Sequence, residues 1–260
     1  MPTFWTLSNG RISLKVFETG GFIGDMLLEG KPVPLHRAPW MGEPLDATIP
    51  PVLQHLQGDF FCAPFGDADM EPSEQRPHGK TANGKWIPVA LEAEKGHWKL
   101  EGTVCGAEVH KFVWLDQDTP LVHQRHRFIG GSGCVPVGHH LMLQTHAPIH
   151  LFFSPYDWIA TPPQPVETPA SRGRSLLAYN RRFERLEATP LANGEVVDLS
   201  RYPQLHQHED IVMLRTRGDQ RYAWSAALCA AEDWAWFALK NPRYLPGTVL
   251  WMSNGGRDYA

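Results

Sequence analysis

The sequence predicts an all-β protein, a large antiparallel β-sandwich, and three observations carry that expectation. Apolar and polar residues alternate with a period of two in many short runs, the pattern of a strand with one face in a core. Gly and Pro contribute 23 residues each and interrupt those runs at short intervals. Clear amphipathic helices are absent. Strands that follow one another without intervening helices pack as antiparallel sheets.

The best strand evidence lies between Trp86 and Ile129. Trp98-Lys-Leu-Glu-Gly-Thr-Val104 alternates and gives way to a turn at Gly106. The run 109–115 follows and is broken by Asp116-Gln-Asp-Thr-Pro120. The run 121–128 comes next and stops at Gly130-Gly-Ser-Gly133. Three runs of about seven residues joined by short turns form an antiparallel meander. Residues 135–145 alternate again, and the same rhythm recurs at 211–214, 222–228, 234–239 and 248–252. Residues 160–171, with Thr161-Pro-Pro-Gln-Pro165, read as an exposed loop. The basic run 181–185 reads as a solvated face or an edge strand protected by charge. With no internal repeat and no flexible linker, residues 1–260 are expected to form a single domain.

Composition narrows the function classes. At 42% hydrophobic and 20% charged residues, the 260-residue chain can bury a real core and is not wholly disordered. A net charge of -4 without a basic block leaves no electrostatic footprint for nucleic acid or an anionic membrane. The N-terminus lacks the basic-then-apolar pattern of a signal peptide, and no apolar stretch approaches a membrane span. A cytoplasmic location is the default expectation. Cys62, Cys105, Cys134 and Cys229 are scattered, with no C-x-x-C pair. Zinc ribbons and a disulfide framework are therefore not expected, and the cysteines read as buried small hydrophobes.

The most specific polar stretch runs from Gly58 to Gly66 and resumes at Arg76 to Trp86. His78 precedes Gly79, Asn83 stands five residues after His78, and Trp86 stands eight after it. That spacing gathers an imidazole, an amide and an indole near one strand start. Aromatic faces stack on the C–H faces of sugars, while imidazole, amide and guanidinium groups bond the hydroxyls. The same letters also describe a Gly/Asn turn with a solvated His78.

A second imidazole group lies in Val137-Gly-His139-His140-Leu-Met-Leu-Gln-Thr-His146. Alternation puts His140, Met142, Gln144 and His146 on one face, and His139, Leu141 and Leu143 on the core face. His140, His146 and His150 can also be weighed as a metal site, but their spacing matches no zinc motif and structural histidines are the better reading. The stretch 206–210 offers ligand types in loop-like sequence. Arg37 beside Trp40 can clamp a hydroxyl or carboxylate, or form an ordinary surface turn.

The His-Gly, Asn and Trp spacing resembles the signature of the aldose 1-epimerase (galactose mutarotase-like) superfamily, in the form found in hexose-6-phosphate mutarotases. The closing Leu250-Trp-Met-Ser-Asn254-Gly-Gly-Arg257 is similar to a late strand and turn of that superfamily. The resemblance implies a supersandwich that interconverts sugar anomers by acid–base ring opening, with no metal and no other cofactor. It places the general acid at His139 or His140, and alternation favours His140. His78 would orient the sugar, and Arg37, Asn83, Trp86, His139, His146, Asn254 and Arg257 would bind it. The expected ligand is a small-molecule sugar. Nucleic-acid and membrane partners are not expected.

Two departures qualify that picture. In the phosphate-sugar branch an Arg stands four residues after the His of the His-Gly pair, where this chain has Ala82. Lys80 and Lys85 are near, but an ammonium does not reproduce a bidentate guanidinium, so a non-phosphorylated sugar is expected. The superfamily's general-base Glu lies beyond the Gly-Gly-Arg turn, yet no Glu follows Glu232. Either the chain is a shortened form, or Asp67, Asp157 or Glu209 has taken the role. The alternatives are a sugar-binding protein that lost its base and a metal-dependent sugar isomerase or lyase. A missing terminal strand would leave a sheet edge that a homodimer can cover.

Overall fold

The computed structural model describes residues 3–66, 76–165, 174–204 and 206–254. The chain gathers into two compact units, residues 1–144 and 145–260.

The first unit begins with β1 (Phe4–Ser8), β2 (Ile12–Phe17), β3 (Ile23–Leu28), β4 (Lys31–Pro32) and the one-turn helix α1 (Pro51–Gln54). Next come β5 (Asp59–Cys62), helix α2 (Gly79–Asn83), β6 (Trp86–Leu91) and β7 (Lys95–Val104). It closes with β8 (Ala107–Leu115), β9 (Val122–Gly130) and β10 (Gly138–Leu141). One sheet has the order β1-β2-β3-β5-β10, with β4 beside β3, and the other is the meander β6-β7-β8-β9. The named strands pair antiparallel, and β8 and β9 stay in register from Ala107↔Gly130 to Leu115↔Val122. The expected meander is therefore present. Leu7, Leu14, Val16 and Phe61 of the first sheet share one core with Trp86, Trp98, Val109 and Val113 of the second. Each fully buried aliphatic or aromatic side chain of this kind contributes roughly 1.5–3 kcal/mol.

The second unit opens with β11 (Ile149–Phe153), β12 (Tyr156–Ala160), β13 (Arg182–Phe183), β14 (Thr189–Pro190) and β15 (Val196–Val197). It continues with β16 (Arg201–Tyr202), β17 (Glu209–Thr216), β18 (Ala223–Cys229), β19 (Trp234–Lys240) and β20 (Gly247–Ser253). Its sheets run β16-β11-β18-β19 and β13-β12-β17-β20, with the small pair β14-β15. Ile159, Leu177, Val212, Leu214 and Met252 form its core, with Leu151 and Phe153 packed against them. The basic run near 182 is an edge strand, and the Arg182 guanidinium sits 4.7 Å from the Trp158 ring centre. Among the described residues no helix is long and apolar enough to cross a membrane.

Two sequence expectations need correction. The alternating stretch 135–145 contains only a four-residue strand, because its partner β5 starts at Asp59 and pairing ends at Leu141↔Asp59. Beyond it the backbone turns to other partners: the Met142 N–H donates to the Gly58 carbonyl and the Gln144 N–H to that of Pro34. All four cysteines are free, but only Cys62 and Cys229 are buried. Cys134 is exposed after β9, and Cys105 occupies a left-handed turn position at φ 49°.

Gly58 sets the start of β5. It has φ +54°, and a Cβ there would lie 1.8 Å from the Ile23 carbonyl oxygen, a backbone atom that cannot step aside. Both the angle and the contact require glycine. Gly58→Ala is expected to destabilise the fold by about 2–4 kcal/mol, lowering the denaturant midpoint. An unchanged midpoint would show that the Ile23↔Asp59 pairing does not depend on this approach.

Candidate functional site

All four residues of β5 are buried, so both of its faces meet other structure. The period of two sends Phe60 and Cys62 to one side and Asp59 and Phe61 to the other. Strand β10 pairs with β5 through His139↔Phe61 and His140↔Phe60, so the two neighbouring histidines part to opposite faces. The His140 ring stacks on Phe60 with centroids 4.7 Å apart and planes inclined by 11°. His78 meets His140 edge-on at 5.0 Å and Phe60 edge-on at 5.6 Å. Both His78 and His140 remain partly exposed. Burial lowers the His140 pKa below its ordinary value, against a smaller upward pull from the Asp59 charge. Its Nδ1 is buried without a hydrogen-bond partner. The two imidazoles thus lie side by side, and imidazole is a side chain that can exchange protons near neutral pH.

The His-Gly motif is a constructed turn. His78 takes a left-handed conformation (φ 63°) and precedes α2, and its N–H donates to the Gly66 carbonyl. Gly79 follows with φ +68°, and a Cβ there would press 2.3 Å from the Ala63 carbonyl oxygen. The Asn83 amide donates to the carbonyls of Pro77 and Gly79, each at 2.8 Å, and its oxygen accepts the Val52 N–H at 3.0 Å. The Trp86 indole is fully buried and donates to the Thr81 carbonyl at 3.0 Å. Asn83 and Trp86 thus hold the turn that aims His78, whereas the sequence reading gave them to the ligand. Their polar atoms are bonded to backbone groups of the turn, of α2 and of Val52, and the Trp86 ring has no exposed face.

The opposite face of β5 and β10 carries a feature absent from the sequence reading. Lys111 is fully buried on β8, and its Nζ donates to the Gln124 oxygen at 3.3 Å. The Gln124 amide donates in turn to Asp59 Oδ2. His139 Nδ1 lies 3.9 Å from the same oxygen. His126 stacks on Phe61 with ring centres 3.8 Å apart. Burial pushes the Asp59 carboxyl up, but His139, the Lys111 charge and the Gln124 amide outweigh it and hold the pKa below its ordinary value. Burial, then the charges of Lys111 and His139, press the His126 pKa well down.

The other expected site residues are dispersed. Arg37 is exposed and paired with Asp25 at 3.4 Å. His146 lies beyond β10, among residues of the second unit, so the one-face grouping of His140 with His146 does not form on a shared strand. Asn254 also belongs to the second unit, where its amide contacts the Met252 carbonyl at 3.4 Å. Arg257 and Asp67 lie outside the described residues. Asp157 is on β12. Glu209 is buried on β17, and its two oxygens accept the Trp251 indole at 2.6 Å and the Ser253 hydroxyl at 2.9 Å. Among the described residues no group of three or more His, Cys, Asp or Glu is arranged to hold a metal ion.

No family profile and no curated protein matches the chain. A galactose mutarotase related enzyme from Lactobacillus acidophilus is similar in structure over 96% of this chain and 80% of its own, with a TM-score of 0.53 at 12% identity. The chain has a galactose mutarotase-like fold. A candidate aldose 1-epimerase from Escherichia coli K12 is similar over 87% of this chain and 77% of its own, with a TM-score of 0.46 at 16% identity.

Within this galactose mutarotase-like chain, Asp59 and Lys111 are the residues sequence reasoning missed. A signal for Lys111 was present: it falls on the period-two face shared by Val109, Val113 and Leu115. Burial drives its ammonium from 10.5 down to about 8, although Asp59 pulls the other way. The unfolded chain therefore holds this proton more tightly than the folded one. Stability from this group rises as pH climbs from about 8 toward 10.5, by an amount on the order of 1–3 kcal/mol. Urea denaturation of the wild type and Lys111→Met across that window should show a pH-dependent gap between them. A gap that stays constant with pH would refute the buried-ammonium account.

Proposed function

We propose that this protein binds a neutral aldose and interconverts its anomers, with His140 and His78 as the proton-transfer pair. The observation that carries the reading is the edge-on approach of these two partly exposed imidazoles at 5.0 Å, on a galactose mutarotase-like fold. Because burial keeps His140 neutral near pH 7, it enters the cycle as a base, where the sequence expectation made it the acid. His140 takes the proton of the anomeric hydroxyl, the C1–O1 double bond forms, and the C1–O5 bond breaks. His78 supplies the proton that O5 requires. Rotation about C1–C2 and the reverse steps close the ring on its other face. Ala82, in place of the phosphate-branch arginine, favours an unphosphorylated ring.

A second reading, sugar binding without turnover, draws on the carboxylates. Glu209 has both oxygens bonded to Trp251 and Ser253, and Asp59 points to the face of β5 opposite Phe60 and His140.

Polarimetry or exchange NMR of freshly dissolved α-galactose and α-glucose separates the two. The wild type should accelerate equilibration, and His140→Ala or His78→Ala should lower that acceleration about 10²–10⁴-fold. As pH falls and His140 gains a proton, the rate should drop. Saturable binding without acceleration selects the second reading, and the absence of binding refutes both.

A further inference from the structure

The sheet β16-β11-β18-β19 carries an apolar face of unusual extent for a surface. Register places Phe152, Ala226 and Phe237 in one row, Trp224 and Leu239 in the next, and Leu228 and Ala235 in a third. Exposure there is 61% for Leu239, 51% for Phe237, 45% for Phe152 and 37% for Trp224. Contiguous exposed apolar surface of this kind marks an interaction site.

Strand β19 bounds that face, and among the described residues it pairs only with β18. Its seven residues stay in register without a bulge, and none is Pro or Gly. Natural sheet edges are blunted by short strands, charges, prolines or bulges. The edges β13 and β16 follow that rule, with two residues each and an arginine apiece. Strand β19 does not. Its one charged residue, Lys240, turns to β20, where Nζ donates to the Gly247 carbonyl and the Thr248 hydroxyl.

We propose that β19 pairs edge to edge with β19 of a second copy of this chain, antiparallel about a two-fold axis at Phe237. The distribution of charge beyond the strand points to a second copy. Exposed Glu232 and Asp233 precede β19, and exposed Arg243 follows it after the neutral Asn241 and Pro242. About that axis Phe237 faces its own counterpart and Ala235 faces Leu239 of the other copy. The acidic end of each strand then meets the basic end of its partner, once at each side of the axis. Such an isologous contact joins the two sheets and continues the apolar rows across the junction.

Analytical ultracentrifugation of the full chain over about a hundred-fold range of concentration should show a monomer–dimer equilibrium. Hydrogen exchange should show the amides of residues 234–240 that do not bond β18 protected in the dimer and released on dilution. Phe237→Asp changes an exposed side chain, so it should yield a folded monomer with an unaltered circular dichroism spectrum. Arg243→Glu should weaken the dimer at least about tenfold, and adding Glu232→Arg should restore it. A wild type that stays monomeric throughout overturns the proposal, as does a dimer indifferent to Phe237→Asp. Concentration-independent protection of the β19 amides that do not bond β18 would mean that another part of the chain covers the edge, and also overturns it.

Discussion

The pairing of β5 with β10 is the constraint on which the first unit's chemistry depends. Four consecutive buried residues, Asp59 to Cys62, have no solvent face, so each side chain must satisfy an interior partner. Opposite them, β10 supplies Gly138, His139, His140 and Leu141 in strict antiparallel order. A slip of one residue would carry His140 into the core and expel His139 toward His78. On its other side β5 is fixed against β3 by the left-handed Gly58, where the chain passes too close to Ile23 for any side chain.

In the turn carrying His78 the residues of the spacing motif are bonded to the backbone. Three hydrogen bonds converge on the Asn83 side chain: one from Val52 ties α1 to α2, and those to Pro77 and Gly79 hold the turn that leads into α2. The buried Trp86 indole fixes the other end of α2. Replacing either would first disturb the backbone that orients His78. A residue set at fixed spacing from a catalytic candidate therefore need not touch the substrate to be indispensable to it.

Legibility in the sequence followed the visibility of the period-two pattern. The meander β7-β8-β9 alternates more and less buried side chains along much of its length, so its strands were evident. Strand β5 could not be read that way, because Asp-Phe-Phe-Cys is buried on both faces and shows no alternation. Strand β19 was legible as a strand at 234–239, but Trp-Ala-Trp-Phe-Ala-Leu is apolar on both faces and does not say which face is exposed. Two-residue strands such as β14 and β15 are too short to register a period at all. The His78–His140 encounter was only half legible: alternation separated His140 from His139, but their partners came from distant segments that no local pattern connects.

Electrostatics joins the two faces of β10. Asp59 lies on the far side from His140, yet its charge still favours a proton on that imidazole, in opposition to burial. An isolated buried carboxylate would press that preference harder, because the interior screens charge weakly. Lys111 is linked to Asp59 through Gln124, and its ammonium offsets part of the negative field at its source. At His140 desolvation exceeds the pull of Asp59 and leaves the imidazole unprotonated near neutral pH. A lysine sealed into an apolar strand face is a poor device for stability, since pairing in the interior barely repays the loss of water. Its charge is felt by Asp59 and by His126, and it lowers the pKa of both.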